Sequence, residues 1–90
     1  MKLTDKITIS SEVVARGVGK DLVLLHLGSG TYFGLDPVGA RIWELIGEDK
    51  TLAEVCEVIL EEYDVSREAL ERDTLKLVED LLAKELISAS

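Results

Sequence analysis

Two residue types able to do chemistry occur once each in this 90-residue chain: one cysteine, Cys56, and one histidine, His26. A single cysteine cannot form an internal disulfide, and a single histidine lacks the partners of a common zinc site. Cys56 falls on the apolar stripe of a predicted helix, where a free thiol packs as a small hydrophobic side chain. His26 lies in a predicted strand, where a hydrogen-bonded structural role is expected. We therefore predict no catalytic residue, no metal and no cofactor.

Glycines and glutamates are frequent, but their spacing carries no recognisable chemistry. Five glycines between residues 17 and 34 form neither a phosphate-binding loop nor a dinucleotide-binding fingerprint. The glutamates at positions 54, 57, 61 and 62 fall on one side of a predicted helix. Such a run is typical of a solvated helix face rather than of paired acid–base residues.

The charge of the chain excludes some partners. Its 10 Lys and Arg against 18 Asp and Glu give a net charge of −8, which argues against nucleic acid or an anionic membrane. Residues 1–43 carry +1 and residues 44–90 carry −9. No apolar run approaches the roughly 20 residues that span a bilayer, and the first residues lack the pattern of a signal peptide. We expect one acidic domain over residues 1–90, in the reducing cytoplasm.

The first half of the sequence predicts antiparallel strands. A β-branched run over residues 12–16 ends at a glycine-rich turn, and the apolar run Asp21–Leu27 is typical of a central strand. Gly28-Ser29-Gly30 predicts a tight hairpin in which the glycines supply positive φ, followed by a strand over Thr31–Leu35. Because short turns make these strands neighbours, the last should lie at a sheet edge. Residues 7–9 are a weaker strand candidate.

The second half predicts helices with clear start signals. Asp36-Pro37 combines a capping side chain with proline at the first helical position, and Gly47 predicts the end of that helix. Thr51 and Glu54 fit a capping box at the start of the next helix. The predicted fold class is therefore α+β, with a three-stranded antiparallel sheet followed by three helices.

The third predicted helix runs from Ser66 to about Leu86 and carries more apolar surface than one packed face needs. At 100° per residue, leucines beside its core stripe widen the apolar arc to about 180°. Either the sheet and the other helices both pack on this helix, or the additional leucines line an open groove for a partner. The core stripe is Leu70, Thr74, Leu77, Val78 and Leu81, and the additional leucines are Leu75, Leu82 and Leu86.

A sheet followed by three helices is also the content of a winged helix-turn-helix domain. Such a domain places its third helix in the major groove of DNA, so a nucleic-acid-binding regulator is the alternative function. Residues 66–86 carry a net charge of −2, which phosphates repel. The predicted architecture therefore fits a DNA-binding protein, whereas its electrostatics do not.

The segment Leu24–Leu45, and within it above all Tyr32–Leu45, resembles the PqqD family. Thr51–Val55 and the spacing of the closing helix extend this resemblance over about residues 13–87. It implies a small winged-helix-like domain that binds the leader segment of a ribosomally made precursor peptide. It also implies a modifying enzyme as partner, such as a radical-SAM maturase or a leader protease and cyclase pair. PQQ, lasso-peptide and other maturation pathways all stay open.

The resemblance further implies that the leader adds as a strand beside the third predicted strand, against the third helix. An edge strand offers unpaired N–H and C=O groups to any extended peptide, and pockets for alternate side chains give specificity. We expect the docking strand to be Thr31, Tyr32, Phe33, Gly34 and Leu35. We expect the groove wall to be Arg72, Leu75, Lys76, Glu79 and Leu82, with Leu77 in the core.

The charge distribution predicts that the chain does not bind duplex DNA specifically at physiological salt, because a net negative third helix is repelled by phosphates. A mobility-shift assay checks this prediction. A salt-sensitive shift at nanomolar protein would contradict it and favour the regulator.

Overall fold

The computed structural model describes residues 2–89, and over this range it contains five strands and three helices. The two sheets are both antiparallel, one with the order β2-β3-β4 and one formed by β1 and β5. The predicted class, α+β with a three-stranded sheet before three helices, is confirmed. The elements are β1 (Ile7–Ile9), β2 (Val13–Val18), β3 (Asp21–His26), β4 (Thr31–Leu35), α1 (Pro37–Ile46), α2 (Leu52–Glu62), α3 (Arg67–Ala83) and β5 (Ile87–Ala89).

The turns of the three-stranded sheet differ from the prediction in detail. β2 continues through Gly17, so the turn to β3 is shorter than expected and Gly19 takes the left-handed conformation with φ of 64°. In the next hairpin Gly30 has φ of 72°, whereas Gly28 does not have positive φ. Gly28 is needed for space instead, because a Cβ there would lie 3.0 Å from atoms of the Glu12 and His26 side chains.

The helices begin where the sequence predicts. The Asp36 carboxylate accepts a hydrogen bond from the Gly39 N–H at 2.7 Å and caps α1, directly before Pro37. The predicted capping box is present at α2, where the Thr51 hydroxyl and the Glu54 carboxylate each accept from the other's N–H. The Ser66 hydroxyl caps α3 by accepting a hydrogen bond from the Ala69 N–H. Local side-chain chemistry therefore sets all three starts.

The prediction that α3 continues to about Leu86 is wrong. The helix ends at Ala83, and Glu85 has φ of 59°, a left-handed conformation that reverses the chain. The Leu86 N–H then donates to the Leu81 carbonyl at 3.0 Å, and the Leu86 side chain is fully buried. The next three residues form β5, which pairs with β1 and gives the weakly predicted strand at residues 7–9 its partner.

One apolar cluster joins the inner face of the sheet to all three helices. Leu24 of β3 and Leu35 of β4 contribute from the sheet, and Thr74 of α3 is buried among the apolar residues. No helix within residues 2–89 is long and apolar enough to cross a membrane. The helical members of the cluster are Ile42, Trp43, Leu45, Ile46, Leu52, Val55, Cys56, Ile59, Leu70, Val78 and Leu81, and β1 and the C-terminal segment add Ile7, Leu86 and Ile87.

Two leucines of the same hairpin give a matched test of this core. Leu24 is 0% exposed and Leu27 is 61% exposed. We expect Leu24→Ala to lower the free energy of unfolding by about 2–5 kcal/mol, because it leaves a cavity. We expect Leu27→Ala to change it by less than about 0.5 kcal/mol. Urea denaturation measures both. Equal losses would show that the assignment of the inner face is wrong.

Candidate functional site

A groove runs between the free edge of β4 and α3. It holds a cavity of about 420 Å³, and the start of α1 forms part of the cavity lining. Most of its lining is apolar, and the lining residues come from three parts of the chain. These are Phe33, Gly34 and Leu35 of β4, then Asp36, Val38, Gly39 and Ile42 at the start of α1, and finally Val65, Ala69, Leu70, Asp73 and Leu77 along α3.

Local hydrogen bonds hold β4 at both ends. Before the strand, the Ser29 N–H donates to His26 Nδ1 at 3.1 Å, and the hydroxyls of Ser29 and Thr31 are 2.9 Å apart. After it, Asp36 binds the Gly39 N–H and fixes the corner into α1. The predicted structural role of His26 is confirmed by its hydrogen bond and its 6% exposure. The edge of β4 is therefore presented in a fixed position.

The two faces of β4 differ sharply. Leu35 is 4% exposed and Phe33 is half-buried, and both side chains line the cavity. Tyr32, on the other face, is 69% exposed. β4 pairs with β3 on one side only. In an antiparallel pair alternate residues point their N–H and C=O groups away from the partner strand, so β4 leaves such groups unpaired along the groove.

Two carboxylates are the only charged groups among the cavity-lining residues that the structure describes. Asp36 is occupied as the cap of α1. Asp73 projects from α3, and its nearest cation is the Arg72 Nε at 3.6 Å, with both side chains more than 70% exposed. An exposed pair of this kind contributes little to stability, so Asp73 remains available to a bound polar group.

The five residues predicted as the groove wall lie elsewhere on α3. None of them lines the cavity between β4 and α3 within the described range. Leu75 and Leu82 are half-buried against the core cluster, and Leu82 lines a second, more open cavity beside β1 and β5. Lys76 pairs with Asp80 at 3.4 Å, and Arg72 and Glu79 are exposed.

The rotation of α3 explains why the predicted wall and the cavity lining differ. Leu77, placed in the core by the sequence analysis, is half-buried and lines the cavity. Leu75 is two positions away, which is about 200° around the helix. The cavity-facing row is Ala69, Asp73 and Leu77, spaced four residues apart. This spacing was visible in the sequence, but Asp73 interrupts its apolar character and the row was missed.

Outside the groove, the single cysteine and the single histidine have structural roles. The Cys56 thiol is 1% exposed, packs 3.8 Å from the Thr74 hydroxyl, and has its pKa raised by burial. It is therefore a poor nucleophile, as its apolar position predicted. No group of three His, Cys, Asp or Glu side chains in residues 2–89 is arranged to hold a metal ion.

The acidic side chains of α2 either form ion pairs or are exposed to solvent. Arg41 of α1 donates two hydrogen bonds, both at 2.8 Å, to the two carboxylate oxygens of Glu62, and they lower the pKa of that carboxyl. Arg67 of α3 donates one hydrogen bond, from Nη1 to Glu57 Oε1 at 2.6 Å, and lowers the pKa of the Glu57 carboxyl. These pairs join α1 to α2 and α2 to α3 at the surface.

Comparison with known proteins places the chain in a family. The family model described as "Coenzyme PQQ synthesis protein D (PqqD)" matches residues 21–87. A structure titled "TbiB1 in Complex with the TbiA(beta) Leader Peptide" is 46% identical, with a TM-score of 0.83 over 90% of this chain and 94% of that one. "Lasso peptide synthetase B1 complexed with the leader peptide" is 26% identical, with a TM-score of 0.83 over 92% and 98%. The comparison with curated proteins gave no match. The family match covers most of the chain and includes β3, β4 and all three helices, so this chain belongs to the PqqD family.

Proposed function

We propose that this protein binds the leader segment of a ribosomally synthesised precursor peptide and presents it to a modifying enzyme. The leader adds as a strand to the free edge of β4, over Thr31, Tyr32, Phe33, Gly34 and Leu35. Main-chain hydrogen bonds to that edge supply affinity, and the groove against α3 reads alternate side chains.

The observation that carries this proposal is the free edge of β4 beside an apolar cavity. The sheet has a second edge at β2, but β2 is exposed along nearly its whole length, and none of its residues lines the cavity between β4 and α3. A peptide on β2 would gain backbone hydrogen bonds without burying side chains. A peptide on β4 gains both, so β4 is the favoured edge.

The cavity indicates the side chains that the leader should carry. Strand residues alternate, so every second leader side chain points towards the groove. Phe33, Leu35 and Leu77 offer an apolar surface, which favours a large apolar or aromatic anchor. Asp73 at the rim favours a hydrogen-bond donor or a cation next to it. We assign Arg72 and Lys76 to the outer rim only, because they neighbour Asp73 and Leu77 along α3.

The protein supplies binding and no reaction of its own. Its buried thiol and its hydrogen-bonded histidine are occupied structurally, so a separate enzyme must perform the chemistry.

Ribosomal synthesis makes the precursor in the cytoplasm, where we place this complex. One structural relative is a lasso peptide synthetase B1 in complex with a leader peptide. This likeness favours a lasso-type precursor over the other maturation pathways.

Filling the cavity tests the proposed groove directly. Ala69 lines the cavity, whereas Ala83, near the other end of the same helix, is exposed and does not. We expect Ala69→Phe to weaken leader binding by about tenfold or more, which is about 1.4 kcal/mol. We expect Ala83→Phe to leave the affinity unchanged. Calorimetric titration with the TbiA(beta) leader peptide, the ligand of the 46% identical structural relative, measures both variants.

The titration also has outcomes that contradict the proposal. Wild-type protein that does not bind the leader at all would refute leader recognition. Equal affinities for Ala69→Phe and the wild type would show that the leader binds elsewhere. Thermal melts of both variants confirm that the added rings have not altered the fold.

Two half-buried leucines of α3 decide which side of the helix meets the leader. Leu77→Ala should weaken leader binding by about tenfold, because Leu77 lines the cavity. Leu75→Ala should lower the free energy of unfolding by about 1–2 kcal/mol and leave the leader affinity unchanged, because Leu75 packs against the core and is not among the residues that line the cavity. The reverse result would restore the wall predicted from the sequence and contradict the observed groove.

A further inference from the structure

The outer face of the three-stranded sheet, away from the helices, is largely apolar, and several of its side chains are left exposed by the rest of residues 2–89. The strand register aligns the outward-facing side chains in rows across the three strands. In one such row Val14 pairs with Leu25, and Leu25 pairs with Tyr32. Val14 is 46% exposed, Val18 58% and Tyr32 69%. Leu27, which continues this side of β3, is 61% exposed. Within residues 2–89 the other exposed large apolar side chain is Val65, which lines the groove. Exposed apolar surface is therefore concentrated on one face.

The composition of this face is that of a protein interface. Arg16 of β2 lies opposite Val23 of β3 and is the one charged residue within the outward-facing rows. Asp21, at the start of β3, lies at the end of these rows. Among the described residues Arg16 makes no ion pair, whereas Arg41 and Arg67 on the helices are both paired. Interface cores are depleted of charge and enriched in tyrosine and arginine. A single cation is too few to hold a nucleic acid or an anionic membrane.

We propose that this outer face docks the enzyme that modifies the precursor, through an apolar enzyme surface with a carboxylate opposite Arg16. The inference rests on the proposed function, because it assigns the second surface that a delivering protein needs. Once a leader lies beside β4, the sheet gains a fourth strand. The outward side chains of that strand then continue the surface at Tyr32 and Gly34.

This continuity explains how one enzyme could recognise the loaded protein. An enzyme seated on the outer face touches β2, β3 and β4, and reaches the outward side of the leader without entering the groove. Residues 44–90, which include most of the helical sequence, carry a net charge of −9 and would repel an enzyme surface that presents a carboxylate. The sheet face carries almost no charge and imposes no such repulsion. The docked enzyme therefore meets the leader and its carrier as one surface.

Substitutions on β2, the strand furthest from the leader edge, test the proposal. Val14→Asp and Arg16→Glu change the outer face, and Ala15→Asp adds the same charge to the opposite face of the same strand. The probes are the TbiA(beta) leader peptide, which binds the 46% identical relative, and the purified enzyme that modifies the precursor carrying that leader. We expect both outer-face variants to weaken enzyme binding by about tenfold or more, with leader affinity within about twofold of wild type. Ala15→Asp should change neither affinity.

Each other outcome overturns a specific claim. Unchanged enzyme binding in both outer-face variants, or no enzyme binding by the wild type, contradicts the docking face. A wild-type dimer that Val14→Asp dissociates in sedimentation assigns the face to a second copy and also contradicts it. Failure of the wild type to bind the leader refutes the proposed function instead, and the separate leader titration detects it. Thermal melts identify any variant that fails to fold, and Val18→Asp, at an even more exposed position, then replaces it.

Discussion

The unpaired backbone edge of β4 is the constraint on which the rest of this molecule depends. A sheet edge leaves N–H and C=O groups exposed, and a stable protein must cover, shorten or use it. Here the edge is short, is fixed at one end by the Gly30 hairpin and at the other by the Asp36 cap, and faces an apolar cavity. That arrangement neither covers the edge nor protects it with charge. It presents the edge to an extended peptide, which is the basis of the proposed function.

Those parts of the fold that local chemistry determines could be predicted from the sequence. Asp36-Pro37, the Thr51–Glu54 capping box and Ser66 each set a helix start by hydrogen bonds within one turn, so their neighbours in sequence suffice. The pairing of β5 with β1 could not be predicted, because it joins the two ends of the chain. The early end of α3 depends on that pairing, since the reversal at Glu85 delivers Ile87 to β1.

The candidate site, like the fold, could be predicted from the sequence only in part. The sheet-edge position of Thr31–Leu35 follows from short turns and was correctly expected, although its role in binding stays a prediction. The predicted groove wall does not coincide with the cavity lining, because periodicity gives the width of an apolar arc but not its orientation. Leu75 and Leu77 are equally apolar, and only tertiary packing shows which of them faces β4. Asp73 carries no apolar signal and could be assigned to the groove only by structure.

Amide hydrogen exchange with and without the leader tests strand addition to β4 most directly. Strand addition predicts that alternate amides over Thr31–Leu35 become protected when the leader peptide used in the titration is added. The amides of β2, the other edge of the same sheet, provide an internal control and should exchange at unchanged rates. New protection along β2, or a bound leader that leaves the β4 amides unprotected, would contradict strand addition at this edge.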